Sequence, residues 1–256
     1  MAYLSVDREG HRLEVTLTDP QRRNAIGAQM RDELIAELTK ANADADIRVI
    51  IIKGADGAFS SGGDLGAMPP KDRDDALYRL GQVEVLIRLL AGSPKAAIAV
   101  LNGPAVGLGV SLAAACDYIF MTTDAVLIFP FTRLGLVPDG GILHTLGLRV
   151  GYAKAKQILL EARSIDAEEA LRTGLADVVL PAKEIDAAVT AKADLLASRA
   201  PLAVSAIKAV CREGPPDMKK VFAAEQREQQ NLYFSSDFTE GKAAFQQRRA
   251  AVFTRS

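Results

Sequence analysis

From Ala96 to Cys116 the chain runs for 21 residues without a charged side chain, AAIAVLNGPAVGLGVSLAAAC, with Lys95 before it and Asp117 after it. A run of that length and polarity has to be buried, in a protein core or in a bilayer. Its first part, Ala96 to Leu101, has the make-up of a buried strand, and the small-residue run from Gly107 to Cys116 reads as a buried helix. Asn102-Gly103-Pro104 and Gly107-Leu108-Gly109 punctuate the join. A strand that turns through glycines into a helix leaves backbone N–H groups unpaired at the helix start, aimed at whatever sits there. Chemistry is expected at that join.

Two other uses of such a run fit less well. Asn-Gly-Pro near its front and flanks without aromatic anchors argue against a membrane span. A dinucleotide fingerprint would need a third glycine where Leu112 stands, and no Gly-Lys-Ser/Thr occurs. The rest of the composition is that of a globular protein: 256 residues, 49% hydrophobic and 25% charged, with a formal net charge of −1. So balanced a charge gives no broad attraction to nucleic acid or a membrane surface. Cys116 and Cys211 are far apart in apolar, helix-like contexts, which points to inert core thiols rather than a disulfide or zinc site. The N-terminus shows no basic segment followed by an apolar one, so the expected location is the cytoplasm.

Along the chain, Tyr3 to Asp7 and Leu13 to Leu17 read as strands joined by a turn at Glu9-Gly10. A basic loop, Gln21-Arg22-Arg23-Asn24-Ala25, precedes a helix over Ala28 to Ala43 with Met30, Leu34, Ile35 and Leu38 on one face. Val49 to Ile52 is a continuous β-branched run and hence a buried strand. The glycine-rich loop GADGAFSSGGDL follows it, where Gly62 and Gly63 let backbone approach a ligand closely. An amphipathic helix over Asp72 to Leu90 comes next. Short strands at Tyr118 to Thr122 and Val126 to Ile128 then lead to a third loop, Phe129 to Gly141. Beyond it the pattern is helical at Ile142 to Leu146, Tyr152 to Leu160 and Ala167 to Thr173, with a strand at Asp177 to Leu180. Helices over Glu184 to Arg199, Pro201 to Glu213, Met218 to Phe234 and Phe238 to Phe253 complete the chain. Alternation early and helices alone late predict an α/β core over residues 1–195 and a helical segment over residues 196–256.

Two glycine loops after buried strands can each present one N–H to a common point, and two such donors stabilise negative charge on a carbonyl oxygen. A serine hydrolase fits poorly: Gly-x-Ser-x-Gly is absent, and His11 and His144 are the only histidines. Three segments now carry a likeness: Phe59-Ser60-Ser61-Gly62-Gly63-Asp64-Leu65, then Asn102-Gly103-Pro104-Ala105-Val106-Gly107-Leu108-Gly109, then Leu134-Gly135-Leu136-Val137-Pro138-Asp139-Gly140-Gly141. In order and spacing the chain resembles the enoyl-CoA hydratase/isomerase (crotonase) superfamily, from Asp19-Pro20 and Asn24-Ala25 through to Phe245 and Phe253. In motif it is most similar to the single-carboxylate enoyl-CoA isomerases.

That resemblance implies a ββα-repeat core with a C-terminal helical segment that helps trimerise, acyl-CoA thioesters as substrates, and no separate cofactor, CoA being part of the substrate. It implies that the amides of Gly63 and Leu108 hold the thioester oxygen. Members that hydrate a double bond resemble one another in two glutamates, whose places here are Ser111 and Phe131. A hydroxyl and a phenyl ring cannot position water and move its protons, which disfavours a hydratase. Asp139 is left as the acid–base residue, able to take a proton from the substrate and return it at a far carbon. The competing reading of Asp139 is ordinary Pro-Asp-Gly turn chemistry, and Asp64 reads as a brace for its own loop.

For substrate and CoA contacts the likeness points to Arg23, Ala25, Ser61, Gly62, Asp64, Ser111, Phe131, Arg249 and Phe253, with Arg22, Lys242 and Arg248 as further cations suited to phosphate. Met68, Leu77, Leu80, Phe129 and Phe131 are candidates for an acyl channel. A homotrimer or a dimer of trimers is expected. Another crotonase-type reaction, or a catalytically silent acyl-CoA-binding homologue, fits the same residues.

Overall fold

The computed structural model describes residues 2–212, 226, 231–232 and 234–254. Nine strands make two sheets among these residues. β1 (Leu4–Glu9) and β2 (Arg12–Leu17) form an antiparallel hairpin, and β2 then pairs in parallel with β3 (Val49–Gly54). β4 (Ala96–Leu101), β6 (Tyr118–Thr122) and β9 (Val178–Leu180) extend the parallel part, giving the order β1-β2-β3-β4-β6-β9. A small second sheet joins β5 (Ala105–Val106), β7 (Val126–Ile128) and β8 (Ser164–Asp166). The helices are α1 (Ala28–Ala43), α2 (Arg73–Ala91), α3 (Leu108–Ala114), α4 (Ile142–Val150), α5 (Tyr152–Leu160), α6 (Ala167–Thr173), α7 (Ala182–Ala197), α8 (Pro201–Arg212) and a last one over Ser236–Gln247.

Parallel strands buried on both faces need apolar residues at every position rather than every second one. β3 and β4 meet that demand. Ile50, Ile52, Ala97, Ala99 and Leu101 face a large core with Leu34 and Leu38 of α1 and Leu86 and Leu90 of α2. Val49, Ile51, Ile98 and Val100 face a second layer closed by Ile185, Val189 and Ala193 of α7. The buried face of α1 is Met30, Leu34, Leu38 and Ala41, the helical spacing expected. α8 joins the second layer through Val204, and its Lys208 ammonium pairs with Asp117 at 2.5 Å.

The charge-free run thus becomes β4, β5 and α3, each too short for a bilayer, and no helix among the described residues is long and apolar enough to cross a membrane. Several expectations change. Ala105–Val106 and Ser164–Asp166 are strands of only two and three residues, too short to show a period. The last helix stops at Gln247 rather than Phe253, where Arg248 turns left-handed (φ 52°). The helix expected over Met218 to Phe234 lies almost wholly outside the described residues. Cys116 is buried, and burial pushes its thiol up to about 12, whereas Cys211 is exposed and not a core thiol.

Arg149 closes the N-terminal edge of the sheet. Its guanidinium donates to the carbonyls of Cys116 and Asp117 at 3.1 Å each, to the Asp177 carboxylate at 3.0 Å and to the Leu175 carbonyl at 3.4 Å. Arg149→Met strands these acceptors and is expected to lower unfolding free energy by about 3 kcal/mol in urea denaturation. In native protein a thiol reagent at pH 8 should modify Cys211 and leave Cys116 untouched until the chain is unfolded.

Candidate active site

The site is built where the loops after β3 and β4 leave the C-terminal ends of those parallel strands, the usual place for ligands in open α/β sheets, and a third loop joins them from β7 of the small sheet. The loops are joined by backbone. Phe59 and Ser60 both donate to the Pro104 carbonyl, at 3.1 and 3.2 Å, and Val106 returns a bond to the Ser60 carbonyl at 2.9 Å. Ser60 is fully buried; its hydroxyl donates to the Asn24 carbonyl at 2.7 Å and accepts the Gly62 amide at 3.1 Å. Asn24, also fully buried and left-handed at φ 58°, donates to the carbonyls of Ala55 and Ala58 and accepts the Asp19 amide. Ser61 donates to the Arg23 carbonyl and Ile26 to that of Gly62, so the basic loop is locked to the glycine loop. Buried amide and hydroxyl groups without such partners would each cost about 1–3 kcal/mol, so the network is self-consistent only in this arrangement.

Gly62 settles where the next amide lies. At φ 91°, a Cβ there would stand 2.5 Å from the Val106 carbonyl oxygen and 3.5 Å from the Leu108 nitrogen. Only glycine lets the first loop rest on the backbone that starts α3. Gly63 follows directly in the same loop. Neither the Gly63 nor the Leu108 N–H has an acceptor among the described residues. Leu108 is the first residue of α3, where an orphan donor is the rule. Two unpaired N–H groups in neighbouring backbone can stabilise negative charge on an oxygen. The Met68 methyl lies 3.7 Å from where a Cβ on Gly63 would be, so an apolar side chain borders the same spot.

The third loop lies over the same helix end. A Cβ on Gly140 would come within 3.1 Å of Leu108 Cδ1 and 2.8 Å of Ser111 Cβ. That contact brings Asp139, one residue earlier, close to α3. Its carboxyl is half-buried, has no salt bridge among the described residues, and burial raises its pKa above the ordinary value, partly offset by its own backbone N–H. Ser111 is fully buried, and its hydroxyl bonds the Asp139 carbonyl at 3.0 Å rather than facing open space. Phe131 is buried too, its ring tip 3.9 Å from a Cβ placed on Gly107. Position 131 therefore offers hydrocarbon and no proton. Phe129 is fully buried, while Leu77 and Leu80 are exposed.

The other predicted residues divide. Ala25 is buried beside Asn24, and Ser61 donates its hydroxyl to the Arg22 carbonyl at 2.7 Å, both within the locked loops. Asp64 is a brace: it takes the Gly66 amide at 2.9 Å and the Arg22 guanidinium at 3.0 Å. Arg23 is exposed and left-handed at φ 50°. Arg249 and Phe253 do not join this group within the chain. The Phe253 carbonyl accepts from Arg48 at 2.7 Å, and Arg48 precedes β3 at the N-terminal edge of the sheet. The six residues of β3 put about 20 Å between that edge and the glycine loops. Arg249 is bound to both oxygens of Glu240 at 2.6 and 2.8 Å, which holds Glu240 down at about 2. Lys242 and Arg248 are exposed on the same segment. Asn24 and Ser60 carry no role legible in the sequence, because each also bonds a carbonyl more than 30 residues away and a buried polar residue has no local signature.

Comparison with known proteins agrees with this geometry. A sequence model described as Enoyl-CoA hydratase/isomerase matches residues 8–256. A Rhodobacter capsulatus protein named a probable enoyl-CoA hydratase is 35% identical over 241 residues, 94% of this chain and 93% of its own. The crystal structure of an enoyl-CoA hydratase from Bacillus anthracis superposes with a TM-score of 0.94 at 26% identity, covering 99% of this chain and 100% of that one. That of an enoyl-CoA hydratase/carnithine racemase from Magnetospirillum magneticum gives 0.91 at 30% identity, covering 100% and 97%. The α/β fold expected from the motifs is thus the crotonase fold, and this chain belongs to the enoyl-CoA hydratase/isomerase family.

Proposed function

We propose that the protein is an acyl-CoA isomerase that moves the double bond of an enoyl-CoA thioester. The observation that carries this reading is the state of Asp139: a half-buried carboxyl with no cation beside it among the described residues, on a loop packed against the helix whose first amide is unpaired. The thioester oxygen would accept the N–H groups of Gly63 and Leu108, which acidifies the carbon next to the carbonyl. Asp139 removes that proton, giving a dienolate whose charge rests on the same oxygen, and returns it at the far end of the conjugated system. Base and acid are one group, so no water enters the balance. A carboxyl with a raised pKa suits both roles, being a stronger base when ionised and an effective donor when protonated. CoA is part of the substrate and no separate cofactor is required.

The related proteins carry hydratase names, and hydration is the second reading. It would need a second acid–base group. The positions that the family resemblance assigns to it hold Ser111, whose hydroxyl is already bonded, and Phe131. Self-association as a trimer or dimer of trimers belongs to the proposal and is supported by the exposed Val137, Leu148 and Leu160 on and beside α4 and α5, which sedimentation at micromolar concentration tests.

Incubation with 3-enoyl-CoA esters of several chain lengths should produce the conjugated 2-enoyl thioester without a change of mass. Product heavier by one water would favour hydration instead, and binding without conversion would favour a silent homologue. Asp139→Asn should retain ester binding and lose turnover by about 10³-fold or more. Because the folded-state pKa of Asp139 is raised, the ionised carboxylate costs stability that the protonated form does not. The contribution is therefore favourable at low pH and lost as pH rises through the raised value. Asp139→Asn should accordingly raise Tm at pH 7 and leave it unchanged at pH 3, while wild-type activity falls as pH drops through the same pKa.

A further inference from the structure

Between the short helical turn ending at Leu134 and the start of α4, the chain passes Asp139 with little to hold it. Leu134 to Val137 are exposed, and Gly140 and Gly141 both stand at positive φ, 62° and 65°. Among the described residues, the backbone of residues 137–140 makes only two hydrogen bonds to its surroundings, both at the Asp139 carbonyl. One is from the Ile142 amide at 3.4 Å, a long bond inside the turn itself. The other is from Ser111 Oγ at 3.0 Å, and it reaches across 28 residues of sequence to α3.

A helix serine normally returns its hydroxyl to the carbonyl four residues back. Here that acceptor exists, the Gly107 carbonyl, but at 3.4 Å it lies beyond the range of a good O–H···O bond, whereas 3.0 Å falls within it. A hydroxyl has a single proton, and the distances give it to the loop. The surrounding fit agrees. Ser111 is fully buried, and a Cβ on Gly140 would fall 2.8 Å from its own Cβ, so the loop rests on this side chain with no slack.

We infer that Ser111 is a positioning residue for the reaction: its hydroxyl pins the Asp139 carbonyl and so fixes the carboxyl relative to the Gly63 and Leu108 amides. The inference rests on the proposed role of Asp139 and adds the group that aims it. A base carried on a loop must be held near its productive geometry, and a displacement of about 1 Å costs on the order of 100-fold in rate. Binding of the CoA portion does not pass through this contact, so the loss falls on kcat.

The test compares three variants of the full-length protein on the 3-enoyl-CoA ester that the wild type converts best. Ser111→Ala removes the donor and should lower kcat by about 10- to 100-fold with KM changed less than about twofold, and with Tm close to wild type. Gly140→Ala disturbs the same contact from the loop side, keeps the hydroxyl, and should show the same split. Asp139→Asn, run alongside, reports on the reading beneath. If Asp139→Asn is inactive while Ser111→Ala keeps wild-type kcat, the pin is overturned and the isomerase reading stands. A Ser111→Ala defect shared equally between kcat and KM, with Tm lowered, overturns it as well, since it marks general loosening. Full turnover in Asp139→Asn removes the isomerase reading and the pin together.

Discussion

The site depends on a short backbone ladder, in which Phe59 and Ser60 give two N–H groups to the Pro104 carbonyl and Val106 gives one to Ser60. It joins the loop after β3 to the loop after β4 while both strands are still adjacent in the sheet. The two elements that each present an orphan amide are thereby fixed to one another by main chain. Such hydrogen bonds lie in a buried region where leaving them unmade is expensive, which makes the relative position of Gly63 and Leu108 stiff. Side chains play a secondary part: Ser60 and Asn24 fill the remaining polar valences and extend the lock to the basic loop. A pair of preorganised amides needs that stiffness, because donors that reorganise during reaction return little stabilisation.

Against this rigid backbone the acid is held differently. Asp139 stands on an exposed loop whose ties are one serine hydroxyl and the packing of Gly140 on α3. Burial without a cation raises its pKa, and the free energy that this takes from folding is the same quantity that makes the carboxyl basic. Asp64 shows the contrast within the same site. It sits close to Gly27 and Gly63 but accepts a backbone amide and the Arg22 guanidinium, which commits it to loop structure. Two aspartates on two of the site's loops thus have different surroundings, and those decide what each can do.

The C-terminal segment belongs to the other edge of the sheet. Arg48 reaches from the start of β3 to the carbonyls of Ala197 and Phe253, and Glu240 gathers Arg249 and the Val252 amide. These contacts tie the end of the tail to α7 and the start of β3. Arg249 therefore belongs with Glu240 and the tail at the Arg48 edge rather than with the glycine loops, although in sequence it looks no different from the cations of the basic loop.

Composition and periodicity were enough to find β3, β4, α1, α2 and α7, because the two strands are unbroken apolar runs and the buried faces of the helices repeat every 3.6 residues, and each of these signals is local. The glycine pairs and the break at Asn102-Gly103-Pro104 also marked, in sequence alone, where backbone would be free to meet a ligand, and the three motifs together carried the family. Three things were settled only by tertiary structure. Which amides stay unpaired depends on the ladder between residues 59 and 106; the upward shift of the Asp139 pKa depends on its burial in the fold; and the task of Ser111 depends on a carbonyl 28 positions away. A local pattern fixes how an element is buried, but the partner of a hydrogen-bonding group is chosen by the packing of distant segments, and function at this site lies in those partners.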